Sequence, residues 1–289
     1  MTWGELRAQC EEVLAKAGRE RPARLVLDWF DDCYGRASRR SGEEVPRANL
    51  ATVDQELDRL VEGWPLQYVT GVAHFYGYEL EVGEGVLIPR PETEELVRWI
   101  LEAHPTQAPL RFADVCCGSG CIAVALARKR LAWRGVAVDV SAYAVDYTRR
   151  NIEKLELEGH VEVVRANVLG AWSMPVGAYD LVVSNPPYIP GSDWDRVDAS
   201  VAAYEPEIAL RVDDGDPLRF YSRIAREAAS GLAGGGWLYF ECNDRHVGAV
   251  ASMLREGGWE NVEIFTDMQS RERHVRARSG TASEEPVGE

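Results

Sequence analysis

From Pro109 onward the chain repeats one kind of unit: a short apolar, β-branched segment followed by a stretch of helical periodicity. Six segments read as strands, at 110–115, 135–138, 161–165, 179–184, 237–242 and 262–266, with helical stretches between most of them. That alternation argues for an α/β fold, an open and mostly parallel sheet covered by helices on both faces. In such a sheet a ligand lies beyond the carboxyl ends of the strands. The loops after the first and fourth strands are therefore the places to look for chemistry.

The first strand runs into Asp114-Val-Cys-Cys-Gly-Ser-Gly-Cys-Ile-Ala123. Gly118 and Gly120 let the backbone turn tightly and approach a ligand closely at a helix N-terminus. Asp139, just past the second strand and twenty-one residues after Gly118, is placed to accept hydrogen bonds from both hydroxyls of a ribose. Gly118, Gly120, Ala123 and Asp139 also satisfy the dinucleotide-binding fingerprint, so a nicotinamide dehydrogenase competes as a reading. Two features favour a different ligand. Asp114 opens the loop with an acid suited to an ammonium group rather than a pyrophosphate, and the loop after the fourth strand has no role in hydride transfer.

That second loop is Asn185-Pro186-Pro187-Tyr188, which ends the apolar run 179–184. An Asn-Pro turn can simply close a strand. The combination also makes a clamp for a planar NH2 group. The asparagine side-chain oxygen and the carbonyl of Pro186 can each accept one N–H. Pro187 stiffens the turn by fixing φ, and the Tyr188 ring offers a face for a flat amide or base.

Ahead of the α/β region the chain reads as helices. Thr2 and Glu5 make a capping box, and Leu6, Cys10, Val13 and Leu14 follow at helical spacing. Leu25, Val26, Trp29 and Phe30 suggest a second helix, and 35–46 a charged loop. Thr52 and Gln55 look like another capping box, with Val53, Leu57, Leu60 and Val61 as the buried stripe. Residues 67–71 and 74–80 are rich in aromatics, glycine and β-branched side chains and suggest a hairpin. Pro91 then starts a helix whose inner face is Leu96, Val97, Ile100 and Leu101. The expected organisation is a helical domain over 1–65, a hairpin linker over 66–90, an α/β domain over 91–278 and a disordered tail over 279–289.

Composition excludes several classes. No stretch approaches eighteen consecutive apolar residues, and the N-terminus lacks the basic and apolar regions of a signal peptide. A cytoplasmic address is expected. The six cysteines form neither a disulfide framework nor a zinc set, since no CxxC pair or nearby histidine completes four ligands. No metal is expected. The formal net charge of −15 opposes binding through phosphate contacts, so direct nucleic-acid binding is not expected either.

With the glycine loop, the acid and the amide clamp in this order, the chain resembles the class I, Rossmann-like S-adenosyl-L-methionine-dependent methyltransferases. It is most similar to the PrmC/HemK family, the N5-glutamine methyltransferases of peptide chain release factors. The resemblance covers almost the whole chain. It rests on Pro65-Leu-Gln-Tyr-Val-Thr-Gly71, Phe75-Tyr-Gly77, Leu87-Ile-Pro-Arg-Pro-Glu-Thr-Glu94, the glycine loop, Ser184-Asn-Pro-Pro-Tyr-Ile189 and Tyr204-Glu-Pro206. It implies cofactor contacts at Asp114, Cys116, Cys117, Gly118, Ser119, Gly120, Asp139, Asn167, Val168 and Asn185. It further implies that Asn185, Pro186 and Tyr188 act on the substrate amide, with Pro187 completing its site. The implied substrate is the Gly-Gly-Gln loop of class-1 peptide chain release factors. The helical domain would dock that substrate or, as the alternative, cap the hairpin for stability, and a monomer is expected. Cys116 and Cys117 stand where the family loop commonly has Gly and Thr, Asn167 where an acid is usual, and Val168 where an aromatic is common. A ribosomal-protein glutamine methyltransferase, a nucleic-acid adenine methyltransferase and a non-catalytic binding protein of the same fold remain as alternatives.

Overall fold

The computed structural model describes residues 1–105 and 108–280. Helices α1 (Trp3–Lys16), α2 (Pro22–Ser38), α3 (Arg47–Glu62) and α4 (Leu66–Thr70) come first, followed by the hairpin β1 (Val72–Phe75) and β2 (Tyr78–Glu81). The α/β region begins with α5 (Pro91–Ala103), β3 (Arg111–Val115), α6 (Cys121–Lys129), β4 (Arg134–Asp139), α7 (Ala142–Lys154), β5 (Val161–Arg165) and β6 (Tyr179–Ser184). It continues through β7 (Ile189–Pro190), α8 (Ala199–Tyr204), α9 (Glu207–Leu210), β8 (Arg211–Val212), α10 (Arg219–Gly231) and β9 (Leu232–Glu241). The chain then forms α11 (Val247–Glu256), β10 (Glu260–Thr266) and β11 (Glu272–Arg278).

Among the described residues the main sheet has seven strands in the order β10-β11-β9-β6-β3-β4-β5. The pairs from β5 to β9 are parallel, whereas β11 is antiparallel to both of its neighbours. Strand side chains alternate between faces, and here both faces are covered. Phe112, Leu181, Val183 and Tyr239 join a core with Leu96 and Ile100 of α5 and Ile122 and Leu126 of α6. Their neighbours Ala113, Val182, Leu238 and Phe240 join a second core with Ile224 and Ala228 of α10 and Val250 and Leu254 of α11. Burial on both faces is why these strands read as unbroken apolar runs.

All six strands expected from the sequence form. β11 was not anticipated: Glu272-Arg-His-Val-Arg-Ala-Arg278 looks charged, yet His274, Val275 and Ala277 are buried between β9 and β10. Its arginines are partly exposed, and Arg276 and Arg278 lie over aromatic rings, with the Arg276 guanidinium 5.0 Å from the centroids of both Trp237 and Phe265.

The helical region packs Trp3, Leu6, Cys10 and Leu14 of α1 against Val26, Trp29 and Phe30 of α2 and Val53 and Leu60 of α3. The Thr2–Glu5 capping box is present. Thr52 does not cap a helix, because α3 already starts at Arg47 behind Pro46. Val61 is exposed rather than part of the stripe. α2 continues to Ser38 across a kink at Gly35, where φ is 59°. Residues 67–70 belong to α4 rather than to a strand, and Pro65 fixes the backbone ahead of that turn. Residues 281–289 of the expected tail lie outside the described residues. Ser279 is anchored, its N–H donating to the Gly236 carbonyl at 2.9 Å.

Two joints tie the bundle and hairpin to the α/β region. Tyr204 stacks on Trp64 with ring centroids 4.6 Å apart and donates to the Glu62 carbonyl at 2.8 Å. The adjacent Glu205 carboxylate is buried, accepting from the Ile88 N–H at 3.0 Å and from the Arg90 guanidinium. Asn151 of α7 forms a second bridge: it exchanges hydrogen bonds with both backbone groups of Glu81 on β2, at 2.6 and 3.0 Å. Among the described residues, no helix is long and apolar enough to cross a membrane. Arg90→Met would strip the buried Glu205 of its charged partner. It should lower stability by about 2–3 kcal/mol, the low edge for a broken buried pair because Arg90 keeps 29% of its side-chain surface in water. Urea unfolding of the two proteins measures the difference.

Candidate active site

β6 pairs directly with β3, and Val115 lies opposite Ser184 in the register. The Ser184 hydroxyl also donates to the Val115 carbonyl, locking the two strand ends together. The glycine loop and the Asn185 loop therefore leave the sheet side by side.

The glycine loop is held from β4 and α7. The Cys117 N–H donates to the Val138 carbonyl at 3.1 Å and the Gly118 N–H to Asp139 Oδ2 at 3.0 Å. Thr148 Oγ1 donates to the Gly118 carbonyl and Asn151 Nδ2 to the Ser119 carbonyl, each at 2.9 Å. Gly118 and Gly120 have φ of 57° and 77°. A Cβ on Gly120 would come within 2.7 Å of Thr148 Cγ2, whereas one on Gly118 would meet open space. Cys116 also has φ of 61°. The left-handed turn that a glycine would make freely is thus kept by a residue with a Cβ, at a strain of roughly 1–2 kcal/mol. Burial first, then nearby Asp139, push the Cys116 and Cys117 thiols well above their ordinary range, so both stay protonated at neutral pH.

Beside the loop opens a cleft of about 240 Å³. Its lining brings together Cys116 and Gly118, Asp139 at the end of β4, Asn167 and Val168 after β5, and Asn185 and Pro187 after β6. Val86, Leu87 and Ile208 close it from the hairpin linker and α9. Asp114, Cys117, Ser119 and Gly120 support the loop without lining the cleft, and Pro186 and Tyr188 likewise lie off its lining.

Asp114 is fully buried under the loop. Its Oδ2 accepts from the Ala123 N–H at 3.0 Å, capping α6 in place of Gly120, which has no side chain to do so. Its Oδ1 has no hydrogen-bond partner among the described residues. Burial pushes this carboxyl up to about 7. Asp139 also sits above the ordinary carboxylate range through burial, opposed by the N–H groups of Ser141 and Gly118. Both Asp139 oxygens thus brace the backbone, a duty the sequence reading did not foresee beside the expected ribose contact.

Asn167 Oδ1 accepts from the Leu169 N–H at 3.0 Å, folding its loop into an Asx turn. Arg223 of α10 staples that loop through the carbonyls of Val168, Gly170 and Trp172, at 2.8, 3.1 and 2.6 Å.

Asn185 is tied to a buried chain of polar groups. Asn185 Nδ2 donates to Thr93 Oγ1 at 3.2 Å, and Thr93 Oγ1 donates to Glu241 Oε2 at 2.7 Å. Tyr188 OH reaches Glu241 Oε1 at 3.4 Å, and Tyr221 OH donates to the Glu241 carbonyl at 3.2 Å. Burial pushes Glu241 up to about 7, against the Thr93 hydrogen bond and Arg273, which favour its charge. Thr93, Arg223 and Glu241 were missed in the sequence. Glu241 did leave a signal, a lone acid in a strand otherwise apolar to its end. Arg223 left none, because a helical arginine is ordinarily a solvent-facing one.

Asp114 sets a pH dependence whose sign follows from burial. Its carboxyl titrates higher in the folded chain than in the unfolded one, so between about pH 4 and 7 the folded state holds the extra proton. Stability from this group is therefore present at low pH and lost as pH rises through 7. Asp114→Asn should remove that slope. Unfolding midpoints at pH 5 and pH 8 should show wild type losing ground to the variant as pH rises, and parallel curves would contradict the assignment.

Residues 95–202 match the family model described as a methyltransferase small domain. A release factor glutamine methyltransferase of Bacteroides thetaiotaomicron is 39% identical over 219 residues, covering 76% of this chain and 77% of its own length. One from Streptomyces coelicolor is 38% identical over 275 residues, covering 94% of this chain and 96% of its own. Among solved structures, a methyltransferase from Pyrococcus furiosus aligns with a TM-score of 0.51 over 81% of this chain and 98% of that one. At 17% identity that last likeness speaks for the fold alone. On the strength of relatives matched at this identity over most of both chains, the protein belongs to the family of release factor glutamine methyltransferases.

Proposed function

We propose that this chain transfers a methyl group from S-adenosyl-L-methionine to the side-chain amide nitrogen of a protein glutamine, that of the Gly-Gly-Gln motif in class-1 peptide chain release factors. The observation that carries the reading is the orientation of Asn185. Its NH2 is turned to Thr93, which leaves Oδ1 to accept a hydrogen bond from a substrate amide.

The cleft suits the cofactor. Open space stands where a Gly118 Cβ would project, the Asp139 carboxylate borders the cleft for a ribose, and Val168 offers an apolar wall for a base. Beneath the loop, Asp114 Oδ1 is a buried oxygen without a partner, as an acid that answers an ammonium group would be. When bound, the cofactor supplies a methyl carbon already activated by its sulfonium.

The harder task falls to the protein, since an amide nitrogen shares its lone pair with its carbonyl and is a poor nucleophile. Asn185 Oδ1 and the Pro186 carbonyl each accept one N–H and turn the lone pair toward the cleft. Pro187 and the Tyr188 ring fix the plane of the amide. In-line positioning of this kind supplies roughly 7–11 kcal/mol in well-oriented systems, and excluding water strengthens both hydrogen bonds. The proton leaves after the new bond forms, when the nitrogen has lost its conjugation and become acidic, so no general base is assigned. The helical bundle, joined to the cleft edge through Tyr204 and Glu205, docks the protein substrate. A net charge of −15 favours that substrate over a nucleic acid, and the reaction is assigned to a monomer in the cytoplasm.

The test is mass spectrometry of a purified class-1 release factor after incubation with enzyme and cofactor. A gain of one methyl on the glutamine of Gly-Gly-Gln is expected, and a release factor left unmodified would sink the proposal. Asn185→Ala should cut turnover by about a thousandfold while calorimetry finds cofactor binding largely intact. Unimpaired methylation by that variant would refute the clamp.

A further inference from the structure

We propose that Thr93 and Glu241 are positioning residues that hold Asn185 with its oxygen toward the substrate, and that this fixed orientation makes the site select a primary carboxamide and reject a carboxylate. The inference rests on the amide-methylating function proposed above and explains how the clamp reads its target.

A side-chain amide is nearly symmetric in shape, and its two ends are told apart by hydrogen bonding alone. An ionised Glu241 carries no hydrogen and can only accept. The single Thr93 hydroxyl hydrogen is spent on Glu241 Oε2 at 2.7 Å, so toward Asn185, at 3.2 Å, Thr93 can only accept. Asn185 must therefore present its NH2 inward and its Oδ1 outward. Thr93 and Glu241 are 2% and 1% exposed, so both partners are shielded from bulk solvent. The face that the proposed function gives to the substrate, Asn185 Oδ1 at the cleft with the carbonyl of the next residue, Pro186, consists of two acceptors. A carboxamide NH2 satisfies both. A carboxylate satisfies neither and sets negative charge against two oxygen lone pairs. An asparagine free to rotate would instead turn its NH2 outward and welcome the carboxylate. Sites built around a substrate N–H reject analogues that lack it far more strongly than apolar pockets reject a change of size.

Protonation gives the same chain a second signature. Facing Glu241 are Thr93 and Glu92 from α5, Cys121 from α6, Tyr188 after β6, Tyr221 from α10, Arg273 and His274 from β11, and Cys242 next to it in sequence. Burial, which pushes Glu241 up to about 7, outweighs the favourable Arg273. A protonated Glu241 donates to Thr93, whose hydrogen is then free for Asn185 Oδ1, and the amide turns over. The active orientation therefore belongs to the ionised form, present above pH 7 and lost below it.

The experiment uses full-length enzyme with a class-1 release factor carrying Gly-Gly-Gln, and with two inert versions of that factor in which the glutamine is replaced by glutamate or by alanine. At saturating cofactor, Thr93→Val should lower kcat about a hundredfold, leave KM for the release factor within about threefold, and lose the acid limb of the kcat profile. Thr93→Ser, which restores the hydroxyl, should restore all three readouts. Wild type should bind the glutamate factor more weakly than the alanine factor, measured as competitive inhibition, and Thr93→Val should reverse that order. Glu241→Gln, which has no proton to lose near neutrality, should abolish the acid limb even if Thr93→Val fails to fold. Wild-type kcat in Thr93→Val, an unreversed inhibition order, or an acid limb that persists in Glu241→Gln would each overturn the inference. Wild type that leaves the release factor unmethylated would fail the proposed function instead, so the two failures are distinct.

Discussion

The parallel pairing of β3 with β6 is the constraint on which the site depends. Adjacent strands lie about 5 Å apart, and the Val115–Ser184 register makes both strands end at the same level. The glycine loop and the Asn185 loop therefore begin as neighbours although Ser184 follows Val115 by 69 positions. On the other side of β3, β4 delivers Asp139 to the same edge, where it catches the Gly118 N–H. A one-residue slip in a strand would reverse which of its side chains face each core, so the two apolar cores that enforce the register also aim the site.

Once the strand ends are set, buried polar groups fix the loops between them. Asn151 bonds the glycine loop with the same side chain that grips the hairpin strand β2. Glu205 binds the linker before α5, Arg223 the loop after β5, and the Thr93–Glu241 pair the Asn185 side chain. In a medium of low dielectric each such bond is strong when made and costly when left open. Loops that would otherwise sample many conformations are thereby tied to one arrangement. Cys116 shows how firmly: its left-handed backbone persists without the glycine that would make it easy, because the residues on both sides are already tied down.

Much of this was legible in the sequence, and the reasons are local. Runs buried on both faces are apolar throughout, so the strands of the parallel sheet announced themselves, as did Pro91 at a helix start and Thr2 with Glu5 at another. The Asn185 loop stood out because a polar amide and two prolines end a buried strand, and the structure sets Asn185 and Pro187 in the lining of the cleft. β11 escaped because its charged side chains reach past buried backbone to the sheet surface, which hides a strand inside a sequence that looks solvated. Residues 67–70 were misread because aromatic and β-branched side chains favour strands only where a pleated surface receives them, and here Pro65 starts a helical turn instead.

The sequence alone determined the chemistry on offer: a tight glycine turn, an acid beyond the next strand, and an asparagine followed by two prolines at a strand end. Those depend on residue type and on spacing within a few positions. The tertiary structure decided what each group does with its hydrogen bonds. It set Asp114 as a helix cap with one oxygen to spare, Asp139 as a brace for the loop, and Asn185 as a donor to a threonine ninety-two residues earlier, which itself donates to Glu241. Hydrogen-bond direction belongs to pairs of atoms in contact, and contact between distant residues exists only after the chain has folded.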